Sequence, residues 1–269
     1  MPYPGASLFY VGGTRLDPFQ RVLGSIPGGR VLDAATGSGG FALLLADRLA
    51  GWTEIVGIDT NPKAAAAFEA AAAGRSGIRF ESRDALSTGW PDASFDTVAV
   101  ANSLHHFPDP SALLAELYRL LAPGGTFILT EMHRDTRDPA RESHVLLHHW
   151  WAEVDRALGV EHRETYGRAE LTAFASSLGL EEVVLHDLEE DGDPRDPEAL
   201  AEVGRAIDAY LARAKGTPDP GRLIGRGEEL RARLAETGFL GAPGLLAVGR
   251  KRKAPHGSGT KEKSDTTTS

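Results

Sequence analysis

Between residues 30 and about 130, short apolar runs alternate with stretches of helical periodicity. That alternation restricts the fold more than any other feature of the chain. The runs are RVLDAA, EIVGID, IRFESRD, DTVAVAN and TFILTE. Each has strand length, and the segments between them can hold a helix. Such alternation predicts parallel strands joined by crossover helices, an α/β sheet covered on both faces. The helical stretches carry their own punctuation. In DTNPKAAAAFEAAAAG, Asn61 offers an N-cap, Pro62 the first helical position and Gly74 the stop. PDPSALLAELYRLLAPGG repeats the pattern with Asp109, Pro110 and Pro123–Gly124. Leu113, Leu114, Leu117, Leu120 and Leu121 fall on one stripe of that helix.

Several function classes drop out on composition. The net charge of −9 argues against nonspecific nucleic-acid binding. The absence of cysteine removes disulfides, thiolate zinc sites and cysteine nucleophiles together. No apolar run approaches the ~20 residues that cross a bilayer. The start, MPYPGASLFYVGG, lacks the basic and apolar regions of a signal peptide. A cytoplasmic protein without membrane insertion is expected. Oligomeric state has no readable signal.

After Glu131 the regular alternation stops. Residues 132–166 turn polar, then rich in His and Trp, and are read as a helical lid with a helix at roughly 143–158. A helix near 168–178 follows, then a strand, EEVVLHDL. Residues 189–240 form a second helical insertion, with helices near 196–215 and 224–237, before a last strand, LLAVGRK. The expected organisation is an N-terminal segment (1–29), a ligand-binding half (30–131), the lid, and a C-terminal part of the same domain (167–250). The tail, 251–269, is charged and polar with little to bury, and is expected to be disordered.

The stretch VLDAATGSGGFALL places a Gly-rich turn between the first strand and its helix. Gly37, Gly39 and Ala42 fit G-x-G-x-x-A, and Asp59 ends the next strand, as in dinucleotide binders. Three details depart from a dinucleotide. Asp33 lies inside the strand, where a carboxylate repels pyrophosphate and attracts an ammonium or a sulfonium. Asp84 follows the third strand, where it can accept an adenine amino proton. Asn102 ends the fourth strand, with His105 and His106 just beyond it.

Taken in order, these motifs resemble the class I S-adenosylmethionine-dependent methyltransferases, in particular the type 11 group that includes quinone-biosynthesis C-methyltransferases. VLDAATGSGG is similar to that family's first motif, with Ala35 in place of its first glycine. GIDTNP, RDA and LLAPGGTFILTE are similar to the motifs that follow, and LLAVGRK to the closing antiparallel strand. The resemblance covers roughly half the chain. It implies a doubly wound seven-stranded sheet with its last strand antiparallel, and S-adenosylmethionine as cofactor. It assigns Asp33, Ala35, Gly37 and Gly39 to the methionine part, Asp59 with Thr60 to the ribose, Asp84 with Ala85 to adenine, and Asn102 to the methionine amino group.

Histidines supply the remaining chemistry. His105 and His106 sit at the carboxyl edge of the sheet, where one serves as a general base or both shape the pocket floor. His133, just past the fifth strand, is the third catalytic candidate. His144 and His148 share a helical face. With His149, Trp150 and Trp151 they form the expected substrate lid. The competing reading adds His133, His149 or His162 to make a metal site; the lid reading, with no metal, is preferred. The expected function is methyl transfer from S-adenosylmethionine to a small-molecule acceptor. An NAD(P)-dependent oxidoreductase and a non-catalytic S-adenosylmethionine-binding protein are the alternatives.

Overall fold

Every apolar run named above becomes a strand of one sheet. The computed structural model describes residues 18–189 and 191–253. The elements are α1 (Pro18–Leu23), β1 (Pro27–Ala34), α2 (Gly40–Arg48), β2 (Gly51–Asp59), α3 (Pro62–Ala71), β3 (Ile78–Ser82), β4 (Phe95–Ala101), α4 (Pro110–Leu120), β5 (Leu121–Met132), α5 (Pro139–Ala157), α6 (Arg168–Ser177), β6 (Glu181–Leu188), α7 (Pro197–Ala214), α8 (Pro220–Thr237) and β7 (Gly244–Arg250). A short 3₁₀ turn, Leu104–His106, follows β4. The strand order is β3-β2-β1-β4-β5-β7-β6. Strands β1 to β5 pair in parallel, and β7 runs antiparallel to both β5 and β6. This is the Rossmann-like methyltransferase fold that the motifs imply.

The central strands are apolar on both faces because helices cover both faces. Val31, Leu32, Val98, Val100 and Ile128 are all 0% exposed. One core lies between the sheet and α4, the other between the sheet and α2 and α3. A third lies apart from the sheet, where α5 packs against α7 and α8 around Trp150, Ile207, Tyr210 and Leu223.

Asp-Pro and Asn-Pro pairs set the helix starts. Asn61 accepts from the Lys63 backbone N–H at 3.0 Å, and Asp109 from Ser111 and Ala112 at 3.0 Å each. The same device opens two helices earlier than their periodicity predicts. Asp138 accepts from Ala140 at 2.8 Å, so α5 begins at Pro139 rather than near 143. Asp219 accepts from Arg222 at 3.3 Å, so α8 begins at Pro220 rather than near 224. Helix α4 ends at Leu120, before Pro123–Gly124, and β5 starts at once.

The tail boundary also needs correction. Lys251 belongs to the fold: its Nζ donates to the Tyr118 and Leu121 carbonyls at 2.8 Å each and lies 4.4 Å from the Tyr118 ring centre. The disorder expected further along concerns residues that lie outside the described ones. Among the described residues, no helix is long and apolar enough to cross a membrane.

Candidate functional site

At the carboxyl ends of β1, β2, β4 and β5 the sheet opens into a cavity of about 710 Å³, roofed by α5. Doubly wound sheets bind ligands at this edge. The Gly-rich turn forms one wall. Ala35, Gly37 and Gly39 have φ of 54°, 53° and 87°, a left-handed path that favours glycine. The two glycines serve different neighbours. A Cβ on Gly37 would meet no atom within 4 Å, and Gly37 lines the cavity. A Cβ on Gly39 would lie 2.6 Å from Phe68 Cδ2, so Gly39 lets α3 close against the turn instead of facing the cavity.

The Asp59 carboxylate ends β2 and accepts from the Gly37 N–H at 3.0 Å and the Asn61 N–H at 2.8 Å. Each bond uses one oxygen, which leaves a lone pair on each for a ligand. Thr60 lies beside it on the cavity wall. Asp84 and Ala85 line the next part, where Asp84 accepts from the Leu86 N–H at 2.9 Å. Asn102 has φ 45° and bridges two strand ends: its N–H donates to the Thr130 carbonyl at 2.9 Å, and its Oδ1 accepts from the Met132 N–H at 3.0 Å. Phe19 of α1 and Phe41 of α2 complete the near side. Phe19 falls in the N-terminal segment, where no motif points to it.

Asp33 takes a different place from the one expected. It is 1% exposed, lies behind the turn and does not line the cavity. Its Oδ2 accepts from Thr36 Oγ1 at 2.5 Å, and its Oδ1 has no hydrogen-bond partner among the described residues. Burial pushes its carboxyl up to about 7. Burial favours the protonated form of this carboxyl, and the group supports the loop from beneath, off the cavity wall.

At the far end of the cavity imidazoles gather. His105 Nδ1 lies 3.2 Å from Glu131 Oε1. Glu131, 1% exposed, also accepts from the backbone N–H groups of Leu104 at 3.0 Å and Met132 at 3.1 Å. Since Glu131 acts as acceptor, His105 carries its proton on Nδ1. His148 Nε2 lies 3.3 Å from His105 Nε2 and 3.3 Å from His162 Nε2. His162 Nδ1 in turn lies 2.8 Å from Asp155 Oδ2. Asp155 accepts from Tyr210 Oη at 3.0 Å and from Arg213. His106 lies at this end too, with its ring centre 4.4 Å from that of His162 and tilted against it. Burial pushes His106, His148 and His162 down, so these rings are neutral near pH 7.

The lid residues divide. His144, His148 and Trp151 line the cavity. His144 Nδ1 accepts from the Ala242 N–H at 2.8 Å, leaving its proton on Nε2, and burial pushes its pKa down to about 4. Trp151 Nε1 has no hydrogen-bond partner among the described residues. Besides Asp33 and Gly39, three more expected site residues lie off the cavity. Trp150 turns into the α7–α8 core, where Nε1 donates to the Leu223 carbonyl at 2.9 Å. His149 bonds Thr165 Oγ1 at 2.8 Å, off the cavity. His133 is pinned between Pro243 and Tyr166, and its Nδ1 accepts from the Asp135 N–H at 3.3 Å. It lies outside the cavity lining, apart from His105 and His106.

Glu131, Asp155 and Tyr210 carry no site motif of their own. An acid ending an otherwise apolar strand, opposite the His pair after β4, is the one signal that picks out Glu131.

Residues 32–129 match the model of a methyltransferase domain. Over 103 residues the chain is 48% identical to a demethylmenaquinone methyltransferase of Deinococcus radiodurans, covering 38% of this chain and 42% of that protein. Over 156 residues it is 31% identical to a 2-phytyl-1,4-naphtoquinone methyltransferase of Synechococcus elongatus, covering 55% of this chain and 65% of the relative. The chain thus spans less than half the length of the Deinococcus protein. The YcgJ protein of Bacillus subtilis shares the fold with a TM-score of 0.57 at 20% identity, covering 87% of this chain and 97% of that one.

Proposed function

We propose, from the chain's membership of the class I S-adenosylmethionine-dependent methyltransferases of the quinone-methyltransferase-like group, that it methylates an uncharged, hydroxylated aromatic small molecule held beneath α5. One observation carries the reading: a single cavity joins Gly37, Asp59 and Asp84 at one end to His105, His106 and Trp151 at the other.

The near end fits S-adenosylmethionine. Gly37 leaves open space where a side chain would stand, so backbone can approach the ligand. Asp59 keeps free lone pairs on both oxygens for two ribose hydroxyls. Asp84 and Ala85 would hold adenine, and Asn102 the methionine amino end. When bound, the cofactor supplies a methyl group already activated by its sulfonium. The protein then has mainly to position two reactants, a contribution of several kcal/mol.

The far end fits the acceptor. The side chains lining it include Phe107, Met132, Trp151 and Val160 around the imidazoles, with no Lys or Arg among the described residues there. That lining disfavours a phosphorylated acceptor and suits an aromatic ring. His144 offers an N–H for a ring oxygen. His105 and His106 would take the proton of an acceptor hydroxyl; Glu131 holds the His105 ring in the tautomer that does so. Ionising a phenol enriches both its oxygen and the adjacent ring carbons, so the same base serves O- or C-methylation. Helix α5 acts as the lid that excludes water.

Mass spectrometry of ligands that copurify with the full chain tests the reading. Adenosylhomocysteine and methylated hydroxyaromatics are expected in the extract. Turnover assays should then yield adenosylhomocysteine and methylated product in equal amounts. Tight adenosylhomocysteine binding without product from any hydroxyaromatic pool would favour a non-catalytic binding protein. NADH binding without adenosylhomocysteine binding would favour an oxidoreductase.

A further inference from the structure

We propose that His105, His148 and His162 form a binding site for one divalent transition-metal ion of the zinc class, at the acceptor end of the cavity. Three independent features support it. The first is spacing. His148 Nε2 stands 3.3 Å from both His105 Nε2 and His162 Nε2. Nitrogens bound tetrahedrally at ~2.0–2.1 Å from zinc stand roughly 3.3–3.4 Å apart. The three ring centres stand 4.7, 4.8 and 5.4 Å apart.

The second is proton placement. Glu131 faces His105 Nδ1 and Asp155 faces His162 Nδ1. Both carboxylates take up a ring N–H, so both Nε2 atoms present lone pairs inward. A carboxylate behind a histidine is the arrangement that orients metal ligands and raises their basicity. Asp155 is itself held by Tyr210 and Arg213, which marks it as a fixed support.

The third is that hydrogen bonding alone satisfies this cluster poorly. His148 Nε2 can offer one N–H to two acceptors, each at 3.3 Å, beyond the usual 2.7–3.2 Å. A cation at the centre would use all three lone pairs.

The ring nitrogens of His105, His106 and His162 that could ligate lie within 4.8 Å of one another, so His106 stands next to the ion. His105, His106 and His148 also line the cavity, which gives the ion an entry path and leaves a position open towards the acceptor. An acceptor oxygen there would be held and polarised beside the methyl donor; with the ion bound, His105 Nε2 is committed to it, and His106 alone would take the proton. The ion site does not rest on the methyl-transfer reading; only this use of it does.

The test is calorimetric titration of chelator-stripped full-length protein with Zn²⁺, paired with Co²⁺ absorption spectra and with adenosylhomocysteine affinity as a measure of folding. One ion per chain and the visible bands of tetrahedral Co²⁺ are expected. His148→Ala and His162→Ala should each weaken Zn²⁺ binding by at least about 100-fold, and Asp155→Asn by about 10–100-fold. Adenosylhomocysteine affinity should be nearly unchanged. No stoichiometric uptake by wild type that still binds adenosylhomocysteine overturns the ion site and leaves the methyl-transfer reading standing. So does uptake that persists when all three histidines are alanine. Uptake without adenosylhomocysteine binding overturns only the methyl-transfer reading.

Discussion

The Gly37 N–H donates to the Asp59 carboxylate at 3.0 Å, tying the Gly-rich turn after β1 to the end of β2. The turn that exposes backbone and the acid that faces it are therefore one unit. The two glycines of this unit should fail differently when substituted. Gly37→Ala meets no protein atom and costs mainly left-handed backbone strain, about 1–2 kcal/mol, yet fills ligand space. Gly39→Ala adds a collision with the buried Phe68, about 1–3 kcal/mol more. Melting curves should rank Gly39→Ala as less stable. Calorimetry should show the larger specific loss of adenosylhomocysteine affinity, at least about 10-fold, in Gly37→Ala. The reverse ranking would contradict the division of roles.

Asp33 should make stability fall as pH rises. Its carboxyl is pushed up to about 7 by burial, against 3.8 unperturbed. Between those values the native state binds more protons than the unfolded state, so stability declines from about pH 4 to about pH 7, by on the order of 4 kcal/mol. Asp33→Asn keeps an acceptor for Thr36 and removes the titration. Urea midpoints at pH 5 and pH 8 should therefore differ less in Asp33→Asn than in wild type. Parallel pH profiles would show that Asp33 titrates normally.

Adjacent tryptophans on α5 should separate stability from turnover. Trp150 is 0% exposed in the helical core, and Trp150→Ala should cost about 3–5 kcal/mol. Trp151 and His148 line the cavity. Trp151→Ala and His148→Ala should leave adenosylhomocysteine affinity within a few-fold and lower turnover. Loss of cofactor affinity in either would place α5 in the cofactor site.

Which parts of this architecture are legible in the chain follows from contact range. Gly37, Asp59 and Asp84 each stand at the end of an apolar run, so strand direction alone brings them to one edge. Helix α5 is different. Twelve of its nineteen residues are buried because one side packs on α7 and α8 and the other closes over the cavity. Its periodicity cannot say which buried face meets a ligand, and Trp150 and His149 are misassigned for that reason. The His105–His148–His162 cluster joins three separate elements across 43 and 14 residues. No local pattern encodes that meeting. Asp33 misleads because its strand position is visible and its burial is not.

Lys251 should matter although it lies in a polar tail. Its ammonium caps the last carbonyls of α4 at Tyr118 and Leu121. Lys251→Ala should cost about 1–2 kcal/mol in a denaturation curve, and a chain ending at Lys253 should melt within a few degrees of the full chain. An unchanged midpoint in Lys251→Ala would return this residue to the dispensable tail.

Asp59 carries the central claim. Two ribose hydroxyls bonded to a carboxylate should make it worth about 1.5–3 kcal/mol of binding, or roughly 10- to 150-fold. The decisive measurement is calorimetric titration of wild type and Asp59→Ala with adenosylhomocysteine, with NADH as the control ligand. The account predicts one adenosylhomocysteine per chain in wild type, a loss of that size in Asp59→Ala, and no NADH binding. Equal adenosylhomocysteine affinity in the two proteins, or NADH binding in place of it, would contradict it.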